Sequence, residues 1–312
     1  MNIKIFEDFV KQADAQDLKL EGLYVLLDGE PVFEHRWVPD QARNIYSHTK
    51  SFVSTAVGIA VDEDVLSLED RLVDCFPDKL PVVENPGIEK ICLKHLLTMS
   101  SGFGAAYLMS ENRRSGTGFP DYVAYMLSRP VVEQPGSRFC YSTADSILIG
   151  RMLEQKLGRN LQEYMYEKVL KPMDIPLPIW ECCPQGHPVG GGGMFMRLAD
   201  MAKLGQLYLD GGVWKGRRIV PEGWVETATA KHIETPMPEA MRQAGHKPDV
   251  WRCGYGYQFW MCPYEKSYRA DGAFGQITLV LPEKGMVISF QCPESGHFGK
   301  VQQAVDVLVR EL

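Results

Sequence analysis

Apolar positions Ile3, Ile5, Phe6, Phe9 and Val10 recur at helical spacing and predict an amphipathic helix over residues 3–16. The period then changes. GLYVLLDGEPVFEHRW reads as two strands joined by a tight turn at Asp28-Gly29. From Ser47 to about Glu63 the chain is apolar on most faces, which predicts a helix destined for the interior. Helical patterns dominate as far as Asp210, in KHLLTMSS, FPDYVAYMLSRP, ADSILIGRMLEQKLG and LADMAKLGQLYLDGG, with Gly and Pro clusters between them. Strand character returns in GYGYQFWMC, GQITLVLP and GMVISFQC, and VQQAVDVLVREL predicts a closing helix. This order predicts an α+β fold. One antiparallel sheet of about five strands would join the first hairpin to the last three strands, with the terminal helices over one face. Residues 1–312 read as a single domain, with a sheet lobe at about 1–45 and 250–312 and a large, mainly helical lobe at about 46–249. A cleft between such lobes is the natural seat for a ligand.

Composition narrows the classes without choosing among them. With 45% hydrophobic and 23% charged residues, the 312-residue chain is an ordinary globular one. A net charge of −7 offers no overall attraction to nucleic acid or anionic membrane, so neither is an expected partner. The opening MNIKIFEDFVKQADAQDLKL has acidic residues where a signal peptide needs an apolar core, and the expected compartment is the cytoplasm. Eight irregularly spaced cysteines, with no CxxC, fit small buried thiols better than a disulfide framework. Seven scattered histidines give no zinc pattern, and no metal or cofactor is expected.

Candidate chemistry begins at Tyr46-Ser47-His48-Thr49-Lys50. Ser47 and Lys50, three apart at the start of a predicted helix, share one helical face. A serine hydroxyl is a weak nucleophile until a neighbouring base takes its proton. A lysine can be that base only when desolvation disfavours its ammonium form. Phe52, Val53, Ala56, Val57, Ile59 and Ala60 supply the apolar setting. The helix N-terminus would add backbone N–H groups for an oxyanion at Ser47. Taken alone, so short a pattern is better read as a helix cap at Ser47 and a solvated Lys50.

The flanks decide between these readings. IYSHTKSFVSTAVGIAVDEDVLSLEDRLVDCFPD resembles the SxxK region of the serine β-lactamase-like family, which includes class C β-lactamases, DD-peptidases, carboxylesterases and 6-aminohexanoate-dimer hydrolases. The likeness continues in order through ICLKHLLTMSSGF, the segment around Tyr141, GGGGMFMRLADMAKLGQLYLDGG and DGAFGQITLVLPEKGMVISF, from about residue 20 to 292. GAFGQ followed by a strand looks closest to the aminohexanoate-hydrolase and esterase branch.

The resemblance implies Ser47 as nucleophile, Lys50 as its base and Tyr141 as the tyrosine that relays a proton to the leaving group. Thr143 stands where the family usually has asparagine, and a hydroxyl cannot offer both the donor and the acceptor of an amide. The third family motif falls at Ala270-Asp271-Gly272, which lacks the usual cation. By that placement the backbone N–H groups of Ser47 and Ala273 form the oxyanion hole, with Thr143 and Gly272 beside the substrate. Lys266 and Arg269 lie close enough in sequence to substitute for the missing cation, and Asp271 would repel an anionic substrate.

Gly190 to Gly193 carry no nucleotide-binding pattern and fit close backbone approach. His48 points off the shared face and fits a structural role, while His187 is a candidate to line the cleft. Trp180, Tyr257 and Trp260 fit core packing, or apolar walls of the cleft. The expectation is therefore a hydrolase of a small-molecule ester or amide, acting through an acyl-enzyme. A β-lactamase or DD-peptidase, and a homologue that binds without turnover, remain the alternatives.

Overall fold

The structure, a computed structural model, describes residues 2–82, 84–116, 119–236, 243, 250–294 and 298–312. The expected lobe boundary at 249 and 250 abuts residues 244–249, which lie outside the described residues.

Helix α1 (Lys4–Ala15) buries Phe6, Phe9, Val10 and Ala13 along one stripe, as its spacing predicts. It is followed by the hairpin β1 (Gly22–Leu27) and β2 (Glu30–Arg36). The chain then runs through helices α2 (Thr49–Asp62), α3 (Ser110–Ser115), α4 (Thr143–Leu157) and α5 (Leu198–Leu209), with short helical turns between them. It returns to strands β3 (Trp260–Met261), β4 (Tyr268–Gly272), β5 (Gln276–Leu281) and β6 (Met286–Gln291), and ends in α6 (Phe298–Glu311).

These strands form one antiparallel sheet in the order β2-β1-β6-β5-β4-β3. Strand β1 pairs with β6 from Gly22↔Gln291 to Leu27↔Met286, so the two ends of the chain share a sheet. One face carries Leu23, Val25, Leu279, Ile288 and Phe290 and is covered by α1 and α6, through Phe6, Phe9, Val301 and Leu308. The other face receives α5 through Ala202 packed on Val287.

The sheet differs from the sequence expectation at its edge. Within GYGYQFWMC only Trp260 and Met261 are strand, and Tyr268–Gly272 adds a strand the apolar pattern does not announce. Arg269 and Asp271 interrupt the alternation there. They are nevertheless buried, because Arg269 Nε donates to Asp271 Oδ2 at 2.6 Å.

Every residue of α2 from Thr49 to Ala60 is buried, and two of its serines are met from a neighbouring segment. Ser51 Oγ donates to the Gln258 carbonyl at 2.7 Å, and Ser54 Oγ to the Tyr257 carbonyl at 2.7 Å. The Gln258 amide accepts from Ser146 Oγ of α4 at 2.6 Å and donates to the Leu97 carbonyl at 2.8 Å. One side chain thus joins α4 to the turn after residues 93–97. Gln258→Met would orphan the buried Ser146 hydroxyl, at about 1–3 kcal/mol, and leave the Leu97 carbonyl with the Gln258 N–H at 3.2 Å alone. The expected result is a clearly lower urea midpoint with an unchanged m-value.

Candidate active site

Ser47 is held by the backbone on both sides. Arg43 and Asn44 pair with Met196 and Phe195, and the Ile45 N–H donates to the Met194 carbonyl at 2.9 Å. The Tyr46 N–H turns back to Asn44 Oδ1 at 2.8 Å, and Tyr46 adopts a left-handed conformation with φ 47°. Such a conformation costs about 1–3 kcal/mol and persists only where the surroundings enforce it. Ser47 then sits in a 3₁₀ turn, Tyr46–His48, that feeds α2. Its neighbour across the cleft is the end of β4. A Cβ added to Gly272 would lie 2.1 Å from the Ile45 carbonyl oxygen, so only glycine permits this approach. Ala273, which follows, is exposed, and Phe274 is a second left-handed residue, with φ 67°. The rings of Tyr46 and Phe274 meet edge to face at 5.1 Å.

Lys50 is 1% exposed. Its Nζ lies 3.1 Å from Ser47 Oγ, 2.5 Å from the Gly191 carbonyl oxygen and 3.5 Å from Thr143 Oγ1. Burial holds its pKa well below the usual lysine value. The Arg113 charge adds to this depression, and Asp145 opposes it. Burial raises the Tyr141 phenol far enough to keep it protonated at neutral pH, with the nearby Ser47 side chain opposing. Lys50 Nζ lies 5.2 Å from the centre of the Tyr141 ring, and that ring stacks on Trp260 at 5.5 Å.

The glycine turn closes the site from behind. A Cβ on Gly191 would meet Thr143 Cγ2 at 2.6 Å and Lys50 Nζ at 3.2 Å, so a bare backbone is what lets its carbonyl reach the amine. The next carbonyl, of Gly192, accepts from Trp180 Nε1 at 3.0 Å, and that of Gly193 accepts from the Glu181 N–H at 2.9 Å. Trp180 is therefore a clamp on this turn.

The remaining sequence candidates divide between the site and the core. Thr143 is buried beside the amine, with its hydroxyl 3.2 Å from Met109 Sδ. Ala270 points into the core shared with the helical lobe. Arg269 is locked to Asp271 and lies against Trp251 and Trp260, at 4.7 and 5.6 Å. Lys266 pairs at the surface with Glu283 at 2.6 Å. Neither cation replaces the missing one, and Asp271, turned to Arg269, presents no open charge to repel an anion.

His48 Nε2 lies 2.8 Å from Thr278 Oγ1, and burial lowers its pKa to about 3, so it is a neutral structural group. His187 does not line the cleft. Its Nδ1 lies 2.6 Å from Arg151 Nη1 and 3.0 Å from Glu154 Oε2, against the C-terminal half of α4. Tyr257 packs on Trp224 and His232, away from Ser47. The thiols of Cys75, Cys183, Cys262 and Cys292 are buried.

Sequence reasoning passed over Met109, Arg113, Glu181 and Asp145. Only Asp145 carried a signal: it lies four residues beyond Tyr141 on an apolar helix. It is fully buried and accepts from Ser101 Oγ at 2.9 Å, while its Oδ2 has no hydrogen-bond partner among the described residues.

The chain matches the beta-lactamase family model over residues 6–296 and belongs to that family. This is a family of serine hydrolases with amide-hydrolase and esterase relatives. One relative is the 6-aminohexanoate-dimer hydrolase of Paenarthrobacter ureafaciens, 23% identical over 306 residues, covering 92% of this chain and 76% of that protein. Lovastatin esterase of Penicillium rubens is 27% identical over 224 residues, covering 62% of this chain and 52% of the esterase. Among solved structures, the octameric penicillin-binding protein homologue from Pyrococcus abyssi superposes with a TM-score of 0.73 at 21% identity, over 99% of this chain and 78% of that one. Among the described residues, no helix is long and apolar enough to cross a membrane.

The Asp145 carboxyl gives a stability prediction. Burial raises its pKa from 3.8 to about 8, with Ser101 and Lys50 opposing. Between those values the folded state binds more protons than the unfolded one, so stability falls as pH rises, by at most about 1.4 kcal/mol per unit. Urea midpoints measured across that window should fall more steeply for the wild type than for Asp145→Asn.

Proposed function

We propose that the protein hydrolyses small esters or amides through an acyl-enzyme on Ser47. The observation that carries this reading is a buried lysine amine 3.1 Å from the Ser47 hydroxyl and 2.5 Å from the Gly191 carbonyl oxygen. A neutral amine has two N–H donors and one lone pair. Its contacts suit that state: it donates to Gly191 and Thr143, and its lone pair accepts the Ser47 O–H. Ser47 Oγ attacks the substrate carbonyl as its proton passes to Lys50 Nζ. The backbone N–H groups of Ser47 and Ala273 stabilise the tetrahedral oxyanion, and Gly272 keeps the end of β4 close enough for both to serve. The proton then passes from Lys50 to the leaving group by way of Tyr141. Because burial keeps that phenol protonated, it relays a proton and does not begin as a base. Water attacks the acyl-enzyme by the reverse route and releases the acid. No metal or cofactor takes part in these steps.

Ester or small-amide substrates are favoured over β-lactams. Ala270 stands where β-lactamases carry a cation for the substrate carboxylate, and Arg269 and Lys266 are engaged elsewhere. Relatives named as a 6-aminohexanoate-dimer hydrolase and a lovastatin esterase are consistent with this preference.

A fluorophosphonate probe should label the wild type stoichiometrically, with the adduct mapped to Ser47 by mass spectrometry, and should leave Ser47→Ala unlabelled. Labelling that survives in Ser47→Ala would refute the assignment. In a substrate panel, short acyl esters should turn over faster than a chromogenic cephalosporin; the opposite order would favour a β-lactamase. Lys50→Met should lower kcat/KM for the esters by about 10²–10⁴, and Tyr141→Phe by at least about tenfold.

A further inference from the structure

Arg113 has no part in the mechanism above, yet its side chain is 4% exposed behind the glycine turn. Its Nε and Nη2 each donate to a Glu181 carboxylate oxygen at 3.1 Å, and its Nη1 donates to the Leu108 carbonyl at 2.7 Å. Glu181 is itself part of the arm that backs the turn, its N–H on the Gly193 carbonyl at 2.9 Å and its carbonyl accepting from Val189 at 2.8 Å. A Cβ on Gly192 would lie 3.8 Å from Arg113 Nη2, and one on Gly191 would lie 3.2 Å from Lys50 Nζ. The two basic groups thus approach consecutive glycines of the same turn.

We infer that Arg113 is a positioning residue for acylation: a fixed cation behind the glycine turn that opposes protonation of Lys50 and keeps its amine available to Ser47. This rests on Lys50 being the base, as proposed above. The arrangement is directional. Glu181 balances the Arg113 charge, but it is 34% exposed and partly screened by water, whereas the Arg113 side chain is 4% exposed. The titratable and charged groups that face the amine are Tyr141, just before α4, Asp145 in the first turn of α4, and Arg113 from α3, beside the hydroxyls of Ser47 and Thr143 and the Gly191 carbonyl. Arg113 is faced in turn by Glu181 and by Tyr122. Burial is the largest influence on Lys50. Arg113 works in the same direction, and Asp145 against it. A neighbouring cation is one of the recognised means of activating an amine.

The test is the pH profile of kcat/KM for a p-nitrophenyl acyl ester, with fluorophosphonate labelling of Ser47 followed over the same range. The acid limb reports protonation of the base. In Arg113→Met the limb should move to higher pH, by about one unit, while the alkaline plateau stays within a few-fold of wild type. Arg113→Lys should bring the limb back. Glu181→Gln, which removes the balancing anion and keeps an acceptor for Arg113, should move it the other way, to lower pH. Opposite displacements in the two variants cannot come from a loosened loop. A limb that stays in place while the plateau falls in both would overturn the inference and leave Arg113 as a strap. If Arg113→Met does not fold, Glu181→Gln decides alone, and an unmoved limb there counts equally against the inference. If the wild type fails to label at Ser47, the reading of Ser47 and Lys50 fails first, which separates that outcome from the others.

Discussion

An amine kept out of water is the constraint on which this site depends. A lysine side chain is stable in a protein interior only if it gives up its charge or finds a counter-charge. Lys50 touches a hydroxyl, a carbonyl and a second hydroxyl, and no carboxylate is in hydrogen-bond contact with it among the described residues. The nearby Asp145 carboxyl is itself pushed up to about 8 by burial and is a poor source of compensating charge. Two ionisable groups in the same apolar volume are thus both driven toward their neutral forms. For a lysine that state is the chemically active one.

The fold supplies the enclosure by bringing backbone very close to the amine. The glycine turn behind it and Gly272 beside the Ser47 turn are places where even a methyl group would collide with main chain or with the amine's neighbours. The Tyr141 ring is held between Lys50 and Trp260, and the indole is backed in turn by Arg269. The Arg269–Asp271 pair is buried in the strand that ends at Gly272, and there the two charges serve each other.

How much of this was legible in the sequence follows from how local each feature is. Ser47 and Lys50 lie three residues apart where a 3₁₀ turn feeds an apolar helix; the helix could be read directly, and the turn that carries Ser47 reads as its first turn. The hairpin, the closing helix and the strands β5 and β6 follow simple periods. Strand β4 does not, because Arg269 and Asp271 break the alternation and only their mutual pairing makes them burial-compatible. Tyr141 looked like any core tyrosine until the family pattern singled it out. Arg113 and Glu181 were invisible, since they meet across 68 residues of chain and neither sits in a motif. His187 misled for a related reason: it precedes the glycine turn in sequence, but its ring faces Arg151 and Glu154.

The pairing of β1 with β6 has a consequence for biosynthesis. Leu27 must wait for Met286, and Gly22 for Gln291, before that ladder can close. The strand that presents Gly272 and Ala273 to Ser47 lies in the same late-synthesised block. A chain still emerging from the ribosome would carry the complete SxxK segment without the strand end that faces it. Contacts so far apart in sequence also form slowly. The Ser47 turn can therefore meet that strand end only after residues 272–291 have been made.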